Sequence, residues 1–516
     1  MPSDVTESLL KDAVRKLAPS LATLLELGEL FSGAGHELAL VGGPVRDAFL
    51  GRSAPDLDLT TSASPGESEA LLTPWADTTW DVGREFGTIA ARHGDWTVEV
   101  TTYRADAYDG LTRKPVVAFG DNLVDDLVRR DFTVNAMALR LPSLEFVDPH
   151  GGLDDLVQRR LRTPSPPEVS FSDDPLRMMR AARFVSQLGF TLDPGVREAM
   201  EAASTTLEIV SAERVRDEFV KLVLGDHPVD GLRVLVETGL CDLMLPELST
   251  LRETVDEHRR HKDVYEHTLT VLNQAIDLED PRDDTAADAV PRPDLVLRLA
   301  AIMHDVGKPD TRRFEPAGGV SFHHHEVVGA KMTRARMRAL RFDNRTIRAV
   351  TRLVELHLRF HGYGEQSWTD SAVRRYVNDA GELLPRLHKL VRADSTTRNK
   401  RKAARLQRTY DHLEERIADI AARERALADR ERHLAAEDNA AFAEGLVTEG
   451  RLLPASKDKL VALMTSLGEA GEVTVSFAEG GEKLAPVAAL KAILAEQPKV
   501  VSFGEADLPG GGDAAP

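Results

Sequence analysis

One segment restricts the fold more than any other: LALVGGPVRDAFLGRSAPDLDLTT, residues 38–61. A short apolar strand runs into Gly42-Gly43, a helix follows, and Gly51 stops it. Bare backbone N–H groups at such a strand-to-helix glycine pair can approach phosphate oxygens. Arg46, one helical turn on, can add a bidentate phosphate contact. Asp56 and Asp58 then alternate along a second strand, so both side chains point to one face. Carboxylates about 7 Å apart on one strand face can bridge two magnesium ions. Such a metal pair stabilises the attacking and leaving oxygens of a phosphoryl transfer. Glu99, isolated between valines in the strand TVEVTTYR, is the natural third carboxylate. A bare D-x-D is usually a surface turn with solvated acids. The full order of glycine pair, arginine and D-x-D is what reverses that reading.

The chain is 516 residues long, too long for one core, and three or more domains are expected. Cys241 is the only cysteine, which excludes an internal disulfide and fits a reducing compartment. The N-terminal stretch lacks the layout of a signal peptide, and the apolar runs fall short of the roughly 20 residues of a membrane span. A cytoplasmic protein without membrane contact is the expectation. The net charge of −19 argues against a uniformly basic nucleic-acid binder. It leaves room for a local basic groove, because arginines cluster at 129–130, at 177, 180 and 183, and from 334 to 352.

Periodicity predicts a helix over 5–31 and mixed α/β structure through residue 155. Strands are expected at DLDLTTS and, as a pair joined at His93-Gly94, at TIAARHGDWTVEVTTYR. From Pro175 to about 245 the pattern is helical, and a histidine-rich helical block follows from His258 to Asp394. Its polar stretch 279–293 reads as a solvated loop. Leu406, Leu413, Ile420, Leu427 and Leu434 then recur at sevens, with Tyr410 and Ile417 on the adjoining seam. That pattern predicts a helical arm or coiled coil over 401–438, a route to self-association, although Glu424 and Glu431 fall on the later seam.

The segment around Asp56 and Asp58 resembles the signature of the polymerase β-type nucleotidyltransferases. More narrowly, it is similar to that of the class II tRNA CCA-adding enzymes and bacterial poly(A) polymerases. DDLVRRDFTVNAMA (125–138) resembles that family's ribose- and triphosphate-reading motif, which implies roles for Arg130, Asp131 and Asn135. DPHGGLDDL (148–156) resembles its flexible head–neck junction, DDPLRMMRAARF (173–184) its amino-acid template for the incoming base, and SAERVRDE (211–218) its neck-stabilising motif. The resemblance implies a template-independent RNA 3′-end nucleotidyltransferase using magnesium, CTP, ATP and tRNA. Poly(A) addition is the alternative within the same chemistry. An HD metal phosphohydrolase with an RNA-binding head is the alternative outside it, against which the complete set Asp56, Asp58 and Glu99 speaks.

Asp174, Arg177, Arg180 and Arg183 recur at spacing three, so one helix face is expected to carry them. The family resemblance assigns Asp174 and Arg177 to the Watson–Crick edge of C or A, and Arg180 and Arg183 to supporting or phosphate roles. Asp173 stands where the family usually has Glu. Tyr103 to Phe119 occupies the place of the family's flexible loop, associated there with the switch from CTP to ATP.

His267, His304-Asp305 and Asp394 follow the order of an HD metal site, with His325 and His357 available for a second metal. His and Asp ligands suit a divalent metal of unspecified identity. This block resembles the HD phosphohydrolases found attached to some members of the CCA-adding family, where they act as phosphatases or phosphodiesterases. The arginines from 334 to 352 read equally as a solvated charged face or an RNA track. Beyond about residue 430 the family pattern ends, and the tail resembles the C-terminal part of Mu-type phage head-maturation proteins.

The expected fold class is therefore α+β: a mixed-sheet head (1–155), an all-α neck (156–250), an HD domain (251–400) and a helical arm (401–438). A small module (439–505) and a disordered tail (506–516) complete the expected organisation.

Overall fold

The computed structural model describes residues 3–53, 56–83, 87–107, 116–119, 122–254, 264–316, 320–363, 368–395, 400–469, 474–476 and 483–500. The chain divides into two units, one of 1–367 with 375–407 and one of 368–374 with 408–516.

The expected helix over 5–31 is two helices, α1 (Ser3–Lys16) and α2 (Ala18–Gly33). Pro19 lacks the N–H that would continue the first helix, but it fits the opening turn of a second. The strand β1 (Leu38–Val41), the helix α3 (Gly43–Phe49) and the strand β2 (Asp56–Thr61) follow as the glycine pair and D-x-D require. A helix α4 (Pro65–Trp75) and strands β3 (Thr78–Gly83), β4 (Thr88–His93) and β5 (Trp96–Thr102) come next. The stretch 103–119 holds two short strands, β6 (Arg104–Ala107) and β7 (Val116–Phe119), paired antiparallel. Residues 108–115 of the expected flexible loop lie outside the described residues.

The helix α5 (Leu123–Val128), the strands β8 (Ala138–Leu141) and β9 (Phe146–Val147) and the helix α6 (Gly152–Val157) close the head. Seven strands form one mixed sheet in the order β3-β4-β5-β2-β1-β8-β9. Only β2 and β5 pair parallel, and their register sets Asp58 opposite Glu99. Leu57 and Leu59, which flank Asp58, are buried, so the apolar face of β2 anchors the strand and leaves its acids on the other face. The α+β class holds.

The neck comprises α7 (Pro167–Asp173), α8 (Leu176–Leu188), α9 (Pro194–Ala203), α10 (Ala212–Val223), α11 (Pro228–Glu237), α12 (Leu240–Met244) and α13 (Pro246–Thr250). It is not purely helical, because β10 (Arg160–Leu161) and β11 (Thr191–Leu192) pair parallel. The histidine-rich block comprises α14 (Val264–Asp277), α15 (Leu295–Met303), α16 (Lys308–Thr311), α17 (His325–Ala339) and α18 (Asn344–Leu356). Between α16 and α17 lies a small hairpin of β12 (Arg313–Phe314) and β13 (Val320–Ser321). Asp343 caps α18 by accepting from the amides of Arg345 and Thr346 at 2.9 Å, the expected helix break. Further helices are α19 (Asp370–Ala380) and α20 (Leu384–Asp394). The polar stretch 279–293 is exposed over 281–288, as expected of a solvated loop, and is anchored at its start. Glu279 is buried and paired with Arg298, itself 1% exposed, at 2.7 Å.

The second unit is built on α21 (Lys400–Thr448), one helix of 49 residues that runs without interruption through the expected 438/439 boundary. Tyr410, Leu413 and Ile420 on its heptad seam are buried, whereas Leu427 and Leu434 are exposed. Its last turns pack Ala443 and Leu446 against Leu460 and Met464 of α22 (Lys457–Gly468). Leu490 and Leu494 of α23 (Pro486–Ala495) join that cluster. The expected tail 506–516 lies outside the described residues. No helix among the described residues is long and apolar enough to cross a membrane.

Candidate active site and metal centre

The head site is built on neighbouring strands. Asp58 is half-buried on β2 with Glu99 beside it on β5, and Asp56 stands exposed at the start of β2. Burial raises the pKa of Glu99, and the charges of Asp58 and Asp56 push it further. Asp58 is also raised, first by burial; Arg130 and Arg46 oppose that shift and Asp56 adds to it. Asp58 and Glu99, both raised, together with the neighbouring Asp56 carboxylate are a donor set suited to hard divalent cations.

Gly42 takes a positive φ of 72°, and a Cβ there would stand 3.2 Å from Arg130 Nη1 and 3.8 Å from Asp58 Oδ2. Glycine thus keeps backbone open between Asp58 and Arg130. Arg46 is held at its root. It donates to Asp47 at 2.9 and 3.0 Å and to Asn135 Oδ1 at 2.7 Å. Asn135 Nδ2 in turn donates to Asp131 at 2.9 Å, and Arg180 donates to the other oxygen of Asp131 at 2.8 Å. Burial opposes ionisation of Asp131, but the Arg180 guanidinium and these hydrogen bonds hold its carboxyl well below the usual range. Arg46, Asn135, Asp131 and Arg180 thus form one connected polar wall beside the acids.

Of the expected face of Asp174, Arg177, Arg180 and Arg183, the three arginines lie on α8 at spacing three and Asp174 does not. Asp174 precedes α8 in extended backbone (φ −143°, ψ 100°), because the residue before a proline is pushed out of the helical region. Its Oδ1 accepts from the amide of Leu176 at 3.1 Å, and Arg214 donates to its Oδ2 at 3.3 Å. Arg177 donates to Ser170 Oγ at 2.9 Å and to the Arg129 carbonyl at 2.5 Å. Arg183 is buried, 2.8 Å from Glu218 at an angle that completes no hydrogen bond, and lies 4.2 Å from the Phe184 ring centre. Burial and then Arg180 bring its pKa down to about 10. Arg214, Glu218 and Ser170 are the residues that sequence reasoning missed. The first two lie in SAERVRDE, but nothing in the spacing says which carboxylate or arginine each meets.

The second centre gathers all six predicted residues. His267 Nε2 lies 3.0 Å from Asp394, and His304 Nε2 lies 3.2 Å from Asp305 and 3.5 Å from Asp394. His325 Nε2 lies 3.3 Å from Asp305. His304, His325 and His357 each donate from Nδ1 to the carbonyl three residues back, Ala301, Phe322 and Val354, at 2.8, 2.8 and 2.6 Å. Those bonds fix the tautomer and turn each Nε2 inward. The Nε2 atoms of His304, His325 and His357 are buried without a hydrogen-bond partner. Buried acceptors are seldom left in that state, and a cation would satisfy them.

Two ligand groups fit metal ions: His267, His304 and Asp394, and Asp305, His325 and His357. Lys308 meets Asp305 at 2.7 Å. Gly307 is obligatory in packing, since a Cβ there would lie 2.2 Å from the His325 carbonyl. Neighbouring charge and burial shift His304 and His357 in opposite directions. Burial disfavours the imidazolium of both, but Asp305 and Asp394 outweigh it at His304 and raise its pKa, whereas His357 is brought down to about 3.

A mixed-sheet head with clustered acids, a helical neck and a separate His–Asp centre define a nucleotidyltransferase carrying an HD domain. Family models agree: "Poly A polymerase head domain" matches 38–162, "Probable RNA and SrmB- binding site of polymerase A" matches 189–251, and "HD domain" matches 264–431. The A-adding tRNA nucleotidyltransferase of Deinococcus radiodurans is 35% identical over 69% of this chain and 75% of its own length. The CCA-adding enzyme of Bacillus velezensis is 45% identical over 42% of this chain, and the match spans about half of that relative, 53%. The Bacillus stearothermophilus CCA-adding enzyme in complex with CTP has a TM-score of 0.53 at 26% identity, over 77% of this chain and 82% of that one. The chain belongs to the CCA-adding enzyme and bacterial poly(A) polymerase family, and is a tRNA nucleotidyltransferase.

Proposed function

We propose that the chain completes tRNA 3′ ends by adding CCA from CTP and ATP, with Asp56, Asp58 and Glu99 as the catalytic acids. The observation that carries this reading is the register of β2 and β5, which sets Asp58 against Glu99 beside Gly42 and Arg130. Magnesium ions held by the three acids would polarise the phosphoryl oxygens and acidify the attacking 3′-hydroxyl. The chain's own residues do the rest. Gly42 and Gly43 offer backbone without side chains to the triphosphate, and Arg46 and Arg130 offset its charge. Asp131 and Asn135, locked to Arg180 and Arg46, hold the ribose edge. Asp174 accepts from the exocyclic amino group of C or A, and Arg177 donates to the adjacent ring nitrogen.

Addition of A alone to tRNA already ending in CC is a second reading. It is favoured by the Deinococcus relative, whose match covers more of this chain than the Bacillus velezensis match does. Offering tRNA with no terminal nucleotides, and tRNA ending in CC, each of the four NTPs separates the two. CTP incorporation into the first substrate supports CCA addition, and its absence with ATP incorporation into the second supports A addition. Long A-tracts on either would make the chain a poly(A) polymerase. Bound by His267, His304, Asp305, Asp394, His325 and His357, divalent metal would supply a separate phosphatase or phosphodiesterase activity.

A further inference from the structure

A cleft of about 510 Å³ opens on the HD side of the first unit, between α17, α18 and the turn that joins α19 to α20. Four arginines line it: Arg334, Arg345, Arg348 and Arg352. They come from a strongly biased stretch, since residues 331–352 hold eight Lys or Arg against the single acid Asp343. Asp343 is occupied in capping α18. Two other basic residues of the stretch are already paired. Arg336 pairs with Glu247 at 2.9 Å, and Arg352 pairs with Glu355 at 2.7 Å and Asp379 at 3.6 Å.

Arg334, Arg345 and Arg348 differ. Each is exposed, each faces the cleft, and among the described residues none has an ion pair or side-chain hydrogen bond. Glu382 is the one lining acid left over once Arg352 has taken the other two. The cleft therefore carries three unmatched guanidinium groups against one carboxylate, on a chain whose net charge is −19. Keeping three like charges together costs electrostatic repulsion unless a polyanion offsets it. A compact phosphate pocket would converge its donors on one buried point, whereas these arginines are exposed and stand on two successive helices. Their planar forks suit successive phosphate groups of a backbone.

We propose that this cleft grips the phosphodiester backbone of the RNA substrate, away from the catalytic acids of the head. The proposal rests on the tRNA reading above and adds a site to it. Base identity plays no part, so the contact serves any tRNA sequence and is strongly salt-dependent.

The test compares the full-length protein with the triple variants R334A/R345A/R348A and R334K/R345K/R348K. Dissociation constants for tRNA lacking its 3′ end are measured across a salt series, with circular dichroism as the folding control. Loss of three phosphate contacts lowers the slope of log K against log salt by about 2–3. The alanine variant is expected to bind at least tenfold more weakly at low salt, and the lysine variant to regain most of the slope. An unchanged slope in a folded alanine variant overturns the proposal, and so does a lysine variant as impaired as the alanine one. Competition by inorganic triphosphate that is lost in the alanine variant while tRNA affinity stays unchanged would assign the cleft to a small anion and also overturn it. Failure of the unaltered protein to add any nucleotide would count instead against the functional reading, while its affinity for tRNA would still report on the cleft.

Discussion

Replacing Asp174 by asparagine should weaken the chain's preference for CTP over UTP, and the bonds that Asp174 makes say why asparagine rather than alanine is the variant to use. The two carboxylate oxygens of Asp174 do different work: Oδ1 caps the start of α8 and Oδ2 faces Arg214. Alanine would remove both, and the lost cap alone costs about 0.5–2 kcal/mol of local stability. Asparagine keeps an acceptor for the Leu176 amide and turns a donor outward. An outward carboxylate accepts from the amino group of C or A, and that charged hydrogen bond is worth about 1.5–3 kcal/mol. Toward U or G the same carboxylate meets a carbonyl oxygen with no proton between them. The outward amide reverses both relations. Since a factor of ten corresponds to about 1.4 kcal/mol, the preference for CTP over UTP should fall roughly ten- to a hundredfold. Single-nucleotide incorporation rates for all four NTPs, at saturating tRNA, measure it. A common slowing of all four nucleotides, with the CTP/UTP ratio unchanged, would remove Asp174 from base selection.

Asp58→Ala should leave the protein folded and bring nucleotide addition below a tenth of its original rate; a larger residual rate with magnesium would exclude the acid from catalysis. Asp305→Ala should abolish phosphatase or phosphodiesterase activity and reduce bound divalent metal, read by elemental analysis, while CTP and ATP incorporation continues. Loss of incorporation in a folded Asp305→Ala protein would contradict two independent centres. Arg298→Met strands the buried Glu279 and the carbonyls of Val223 and Gly225, to which Arg298 donates at 2.9 and 2.8 Å. Breaking such a buried pair costs about 3–5 kcal/mol, which in a unit of this size should lower the melting temperature by roughly 4–6 °C. A shift of a degree or two would mean that the pair is nearly neutral.

Much of the head was legible because short-range rules govern it. Period-two alternation placed Asp56 and Asp58 on one face, and the glycine pair marked the turn. That Glu99 meets Asp58 directly was not legible, since the pairing depends on which strand β2 chooses as its parallel neighbour. Asp174 was misread for a reason that the sequence contains: Pro175 keeps it out of the helix, and spacing alone ignores that. Pro19 misled the reading of the first helix in the same way. The order of His267, His304, Asp305, His325, His357 and Asp394 was readable along the chain. The orphaned Nε2 atoms that suit the cluster to a metal became visible only where α14, α15, α17, α18 and α20 converge. The partnering of Arg180 with Asp131 and of Arg214 with Asp174 joins residues 49 and 40 positions apart, which no local pattern encodes. The long helix outran its expected end because Ala443 and Leu446 are buried against α22 and α23, contacts that heptad counting does not register.

The most direct test of the account is the mass of tRNA, stripped of its terminal nucleotides, after incubation with the protein, CTP, ATP and magnesium. The account predicts a product heavier by two cytidylates and one adenylate, with extension stopping there. A tRNA that gains no cytidylate, or that grows a run of adenylates, would contradict it.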